Sequence, residues 1–135
     1  MTLARASSGV SLQTALFTRL DTDISSADVY DFVPQDTKMP YIKIGEDFRT
    51  PDNTKTDTGD FTLATIHVFS DKKGSKEVKE ILGEIETSIF RANFDLTGDG
   101  FTHLGTELVT SEDFEDEDGK SMHGIIQVRF QIEKN

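Results

Sequence analysis

A glycine-containing acidic segment gives the strongest hint of chemistry in this sequence. Asp95 and Asp99 stand at loop positions 1 and 5 of a calcium-binding EF-hand, and Gly100 stands at position 6, where that loop turns sharply. The match fails at position 12, because Thr106 cannot supply the bidentate carboxylate that completes such a site. An Asp-Gly hairpin turn explains the same residues without a ligand. A monomeric, acidic calcium- or ligand-binding module that uses the turn at residues 95–100 together with the acidic residues 112–118 therefore remains an alternative, and a plain turn is favoured.

The histidines and serines of the sequence do not form a known catalytic or metal-binding motif. His67, His103 and His123 stand in separate segments with strand-like composition, and they lack the short spacing of a metal pair. No serine lies in a Gly-x-Ser-x-Gly elbow, and no phosphate-binding Gly-x-x-x-x-Gly-Lys pattern occurs. The chain has no cysteine, which excludes thiolate metal sites and thiol enzymes. We predict that these histidines lie on strands, where they are either hydrogen-bonded within the fold or exposed to solvent. We also predict that the protein is not an enzyme and has no cofactor.

An acidic run close to the end of the chain is the second candidate site. Residues 112–118 contain six carboxylates, which are Glu112, Asp113, Glu115, Asp116, Glu117 and Asp118. So many charges cannot enter a core, so we interpret residues 112–119 as a solvated turn that leads into the last strand. A specific partner site and loose cation binding are both open to such a turn, and a plain solvated hairpin tip also explains it. We expect the fold to tolerate replacement of Glu115, Asp116 and Asp118 by serine, because exposed like charges contribute little to stability.

Length and charge limit the class of protein. The 135 residues fit one domain, with a flexible N-terminus over residues 1–10. The net charge of −11 opposes non-specific binding to nucleic acid, since such binding depends on clustered Lys and Arg. No apolar run reaches the roughly 18 residues of a membrane span. We expect a protein that is soluble and made in the cytoplasm.

The apolar patterns predict an α+β fold, with a largely antiparallel β-sheet and two α-helices packed on one face. Residues 46–60 are polar, and we expect them to form a long, mobile loop that carries function. The helix-free face of the sheet would then need cover from a partner or a neighbouring subunit. The predicted helices span residues 11–20 and 75–91, and the predicted strands span residues 29–33, 41–45, 61–70, 101–104, 107–110 and 122–132.

Several short segments in succession resemble one known family. They are LQTAL at residues 12–16, VYDFVP at 29–34, MPYIKIG at 39–45, VFS at 68–70 with the helix after it, and DEDGKSMHG at 116–124. In order and spacing these segments resemble the tail terminator or tail completion proteins of long-tailed phages, which include the tail-to-head joining proteins. Phe69 stands where a tryptophan would be expected in that family.

The resemblance implies a structural protein of the virion, at the head-tail junction, that passes through the host cytoplasm during assembly. Such a protein forms a ring, usually hexameric, on the head-proximal end of the tail tube, stops tube polymerisation and provides the docking surface for the head connector. The implied partners are further copies of the chain, the major tail-tube protein and the connector or stopper, while DNA passes through the lumen without specific binding and no membrane is involved. We expect partner contacts at Asp47, Phe48, Arg49, Glu112, Asp113, Glu115, Asp116 and Asp118.

Overall fold

A five-stranded sheet carries two helices on one face, which confirms the predicted α+β class. The computed structural model describes residues 8–53 and 58–135. The helices are α1 (Ser8–Asp23) and α2 (Lys76–Phe90), and a 3₁₀ turn spans Thr97–Asp99. The strands are β1 (Asp28–Tyr30), β2 (Tyr41–Asn53), β3 (Thr58–Ser70), β4 (Phe101–Glu115) and β5 (Met122–Lys134). No helix of this described part is long and apolar enough to span a membrane.

The strand order is β1-β2-β3-β5-β4, so the strongly β-prone β3 is central, as its composition predicts. Only the β1–β2 pair is parallel, and every other pair is antiparallel. β1 covers just Tyr41, Ile42 and Lys43 of β2, and within the described residues the rest of β2 has a neighbour on one side only. β4 likewise pairs with β5 alone. Among the residues that the structure describes, the sheet therefore ends in two long edges without a further strand, on opposite sides.

The core lies between the two helices and the inner face of the sheet. The alternation predicted for β5 is confirmed, because the residues on one face of this strand are buried. The apolar stripe predicted for α2 is also confirmed, because its residues are buried as well. Fully burying one such aliphatic side chain stabilises the fold by about 1.5–3 kcal/mol. The buried residues that form this contact are Val78, Ile81, Leu82, Ile85 and Ile89 of α2, Leu12, Leu16 and Leu20 of α1, and Ile126, Val128, Phe130 and Ile132 of β5.

Gly124 lets α2 lie close to β5. A side-chain methyl at this position would be 2.7 Å from Cγ2 of Val78 and 3.0 Å from Cδ1 of Leu82. Both distances are shorter than the roughly 3.5–4.0 Å of a good carbon–carbon contact. Only glycine therefore fits between the strand and the helix here.

Arg19 of α1 holds the C-terminal end of α2, which lacks a basic residue in its own last turn. Its guanidinium donates to the carbonyl oxygens of Ala92 at 2.5 Å and Asn93 at 3.2 Å, with longer contacts to two carbonyls of the last helical turn. It also lies 3.9 Å from the centroid of the Phe94 ring. A cation at this end satisfies free carbonyls and opposes the negative end of the helix dipole. Arg19 thus links the two helices, as does Asp23 of α1, which accepts a hydrogen bond from the Ser88 hydroxyl of α2 at 2.6 Å.

The loop predicted for residues 46–60 is wrong over most of its length. Residues 46–53 belong to β2 and residues 58–60 to β3, while residues 54–57 lie outside the described residues. β2 is an edge strand here, and its polar side chains produce no apolar alternation that would indicate a strand. Hydrogen bonding to the strongly β-prone β3 holds it in the sheet. Of the predicted flexible N-terminus, Ser8, Gly9 and Val10 belong to α1, and the first seven residues also lie outside the described residues.

Two predicted strands at residues 101–104 and 107–110 are one strand, β4, with two β-bulges. His103 pairs with Ile132 and Gly105 with Gln131, so Leu104 has no partner in the ladder. The same happens at Val109, between Leu108 and Thr110. Each bulge shifts the side-chain alternation by one residue, which is why the sequence pattern appeared interrupted. β4 continues to Glu115, so the first half of the acidic run is strand and not turn.

Candidate assembly site

The turn between β4 and β5 is a tight hairpin built around Asp118. The amide of Asp116 donates to the carbonyl of Ser121 at 2.8 Å, and Gly119 takes a positive φ of 67°. The Asp118 carboxylate accepts hydrogen bonds from the amides of Lys120 and Ser121 at 2.8 and 2.9 Å and from the Ser121 hydroxyl. These bonds hold the pKa of Asp118 below its usual value. Asp118 therefore shapes the turn, and it is the exception to the expectation that the fold tolerates loss of these carboxylates.

The other acidic residues of the run point to different sides of the sheet. Asp113 faces the helices, and its Oδ1 accepts a hydrogen bond from Lys79 Nζ of α2 at 2.6 Å. Glu112 is opposite Ile125 on the helix-free face, and both Glu112 and Glu115 are exposed. The run is thus not one charged patch. Glu112 and Glu115 remain available to a partner, while Asp113 is already held by α2.

Asp47, Phe48 and Arg49 lie at the other edge of the sheet, on the second half of β2. Phe48 is opposite Leu63 on the helix-free face, and its side chain is 69% exposed. Arg49 Nη1 donates to the Ser8 hydroxyl at 3.2 Å. Two strands, β3 and β5, separate this segment from β4, which carries Glu112, Asp113 and Glu115. The structure therefore does not bring the two predicted contact groups together, and their contact role stays a prediction.

A row of rings crosses the helix-free face at the hairpin end of the sheet. Each strand contributes one ring, in the order Tyr30, Tyr41, Phe69, His123 and Phe114 along the sheet. Adjacent centroids are 6.1, 5.2, 4.3 and 4.9 Å apart, within the range of favourable aromatic pairs. The rings cover one another, so this end of the face is partly closed within a single chain.

A histidine pair beside this row escaped the sequence analysis. Nδ1 of His67 lies 2.8 Å from Nε2 of His123, and Nε2 of His67 lies 3.0 Å from a carboxylate oxygen of Glu46. In the arrangement where a neutral His67 donates to Glu46, its Nδ1 accepts the hydrogen bond from Nε2 of His123. Burial and the nearby His67 lower the pKa of His123, against an opposing effect of Asp116. Both histidines are at outward positions of paired strands, but the sequence alone does not give the register that joins them.

The comparisons with known proteins agree on one family. Residues 12–133 match the family described as "Tail completion protein gp17". The chain belongs to this family of tail completion proteins. The "Tail completion protein gp17" of Bacillus phage SPP1 is 32% identical over 102 residues, which cover 75% of this chain and 73% of that protein. The resemblance inferred from the short motifs is confirmed.

Solved structures show the same fold as this tail completion protein. A chain in "Virion of native gene transfer agent (GTA) particle" has a TM-score of 0.80 at 17% identity, and the match covers 98% of this chain and 99% of that one. "Structure of bacteriophage SPP1 gp17 protein" has a TM-score of 0.59 at 24% identity, with 96% and 95% covered. Family membership makes the chain a structural component of a phage particle.

The two carboxylates named as calcium ligands, Asp95 and Asp99, each accept hydrogen bonds within the chain. Oδ1 of Asp95 accepts bonds from the amide and hydroxyl of Thr97, while Oδ2 of Asp99 accepts from the Ser11 hydroxyl at 2.7 Å. Within residues 8–53 and 58–135, no three or more His, Asp or Glu side chains are placed so that they could hold a metal ion. The predicted hairpin turn at Asp99-Gly100 is also wrong, because this segment is a 3₁₀ turn that leads into β4.

His103 is a satisfied structural histidine, as the sequence analysis favoured. It is 4% exposed, and its Nδ1 accepts the amide of Phe94 at 2.9 Å. Nε2 lies 2.9 Å from the carbonyl of Gly105, so the proton is on Nε2 and the ring is neutral. Burial lowers the pKa of His103. This ring fixes the start of β4 at the first bulge.

Proposed function

We propose that the chain closes the head-proximal end of the tail tube as a ring of identical subunits, a hexamer by the family resemblance. In this role it ends the growth of the tube and provides the surface to which the head connector binds. Membership of the tail completion family supports the place in the particle. DNA passes through the ring without specific binding, which is compatible with a net charge of −11.

The observation that carries this proposal is the pair of free sheet edges on opposite sides of the subunit. A closed ring with more than two members needs two different surfaces on each subunit, because each copy contacts one neighbour on either side. β4 offers one edge, and the part of β2 beyond Lys43 offers the other. Unpaired strand edges in a soluble protein are normally covered or protected. Neighbouring subunits would supply that cover.

The test is deletion of the gene from the phage, followed by electron microscopy of the lysate. We expect filled heads that lack tails, together with free tails of irregular or increased length. Resupplying the chain during infection should restore joined particles of normal tail length. If the deletion phage makes joined particles with tails of normal length, the chain neither ends tube growth nor joins the head.

The exposed carboxylates near the hairpin are the proposed contact with the head connector. Glu112→Gln with Glu115→Gln removes two exposed charges that make no hydrogen bond or ion pair among the described residues, and should reduce the number of joined particles. The matched control is Glu80→Gln with Glu86→Gln, which removes two charges from the exposed surface of α2. Equal joining by both variants would remove the acidic hairpin from the connector surface.

A further inference from the structure

Four titratable side chains form a row across the helix-free face, from β2 to the turn between β4 and β5. Oε1 of Glu46 lies 3.0 Å from Nε2 of His67, and Nδ1 of His67 lies 2.8 Å from Nε2 of His123. At the other end, Nδ1 of His123 lies 3.9 Å from Oδ1 of Asp116, which is too long for a hydrogen bond. We call these four side chains the histidine network. It is closed at Glu46 and open at Asp116.

The fold holds both imidazole rings of the network in place. Gly45 lies in a bulge of β2, and a methyl at this position would be 2.7 Å from Cδ2 of His67. The ring of His123 stacks on Phe69, with 4.3 Å between the centroids. The side chains of His67 and His123 are only 16% and 14% exposed. Because the rings are enclosed and adjacent, a proton that binds to one of them affects the other.

The number of bound protons decides which contacts the network can make. With both rings neutral, His67 donates to Glu46 and His123 donates to His67, so Nδ1 of His123 is an acceptor that faces the carboxylate of Asp116. One added proton gives this Nδ1 an N–H that can donate to Asp116. The proton between the rings is then shared, and either ring can carry the charge. A second added proton places two N–H donors and two like charges against each other at the contact of His67 with His123.

We propose that the histidine network is a pH-dependent switch that connects the acidic turn to β2 when it holds one added proton and breaks this connection between the histidines when it holds two. The two ends of the network lie in or beside the segments predicted to contact partners, because Glu46 directly precedes Asp47 and Asp116 belongs to the acidic run. The switch acts within one subunit, so it does not rest on the proposed ring or on head joining.

The surrounding charges separate the two protonation steps. Burial and then the charge of His67 lower the pKa of His123, while Asp116 and Glu46 oppose this change. The hydrogen bond from His67 lowers the pKa of Glu46, so this carboxylate stays charged. The second proton should therefore bind at a lower pH than the first. Among the described strands, the other charged or titratable groups beside the network on this face are Lys43 and Tyr41 of β2 and Glu112 of β4.

The first test is an NMR titration of the ¹⁵N-labelled chain from about pH 8 to about pH 4, which includes the range in which histidine ordinarily changes charge. Long-range correlations between ring protons and ring nitrogens show which nitrogen of each histidine carries a proton. We expect the signals of both rings to shift together in the first step, and the second proton to bind at least about tenfold more weakly, as in coupled groups. Independent curves for His67 and His123, or uptake of both protons in one step, would refute the switch.

The second test removes the carboxylate at the open end. Asp116→Asn should weaken binding of the first proton about tenfold, which is the low end for a nearby carboxylate because Asp116 is 30% exposed. Glu117→Gln is the matched control, because it removes an exposed charge from the same turn. This control should change proton binding by less than about twofold. Equal shifts in both variants would mean that the general acidity of the turn is responsible, and the contact of Asp116 with His123 would be wrong.

The third test separates the rings without removing a titratable group. The methyl of Gly45→Ala should displace the ring of His67, so that His67 and His123 titrate independently, each in a single step. Gly105→Ala, at another strand glycine beside a β-bulge, is the matched control, because a methyl there would meet no atom closer than 3.9 Å. Coupled titration that persists in Gly45→Ala would overturn the proposed contact. If this variant does not fold, the partly exposed Asp116→Asn variant still decides the question.

Discussion

Replacing Gly124 by alanine should destabilise the domain by disturbing the contact of α2 with β5. The new methyl would lie 2.7 Å from Cγ2 of Val78, about 1 Å closer than a good carbon–carbon contact. Val78 is fully buried and β-branched, so it cannot rotate away without a clash elsewhere. Relief therefore requires the helix and the strand to separate.

The magnitude follows from two opposing effects. Overpacking a core position costs about 1–3 kcal/mol. Replacing glycine in a strand recovers about 0.5–1 kcal/mol, because alanine has less backbone freedom to lose. At the middle of these ranges the net loss is about 1 kcal/mol, which corresponds to a fall in Tm of roughly 3–4 °C for a domain of this size.

The assay is urea unfolding, with Gly83→Ala as the matched control. Gly83 is in the middle of α2, and a methyl there would meet no atom within 4 Å. This control should gain about 0.5–1 kcal/mol from helix propensity, so the two glycine replacements should have opposite signs. Adding Val78→Ala to Gly124→Ala should cost less than the sum of the single changes, with a coupling of at least about 0.5 kcal/mol. A neutral Gly124→Ala variant, or strictly additive changes, would refute the close-packing argument.

Three further predictions concern groups that the structure places in defined contacts. Arg19→Ala should lower the free energy of unfolding by about 1–2 kcal/mol, because it removes the donor to the carbonyls of Ala92 and Asn93, just after the end of α2, and Arg19→Lys should restore only part of this, since lysine lacks the planar fork. The folded-state pKa values of His103 and His123 lie below the usual 6.5, so their contribution to stability is complete above that pH and declines as pH falls from 6.5 towards the folded values. Thermal melts between pH 7 and pH 5 should show this decline, and His123→Gln should flatten it; an unchanged slope would exclude His123 as a source. Asp118→Ala should lower the melting temperature more than Glu115→Ala, because only Asp118 accepts hydrogen bonds that close the turn, and equal melting temperatures would contradict that role.

The elements that contact the core could be predicted from the sequence. β5 alternates apolar and polar residues, and α2 repeats apolar residues at helical spacing, because each buries one face against the other. β3 combines β-branched and aromatic residues on both faces and is central. For these elements local pattern and tertiary packing favour the same structure.

The edges of the sheet could not be predicted, because their structure depends on neighbours. The second half of β2 is polar apart from Phe48 and Pro51, and only its pairing with β3 makes it a strand. In β4 the bulges at Leu104 and Val109 break the alternation by which a strand is recognised. The contact of His67 with His123 could not be predicted either, since it depends on the register of two strands that are distant in sequence.

The row of aromatic side chains on the helix-free face also favours the correct register of the strands during folding. Each of the five strands contributes one member, from Tyr30 on β1 to Phe114 on β4. A slip of any strand by one residue would move its ring to the other face and break the row. The full set of aromatic contacts therefore forms only when all five strands have the native register. These contacts stabilise the native sheet relative to sheets with a shifted strand, within a single chain and without a partner.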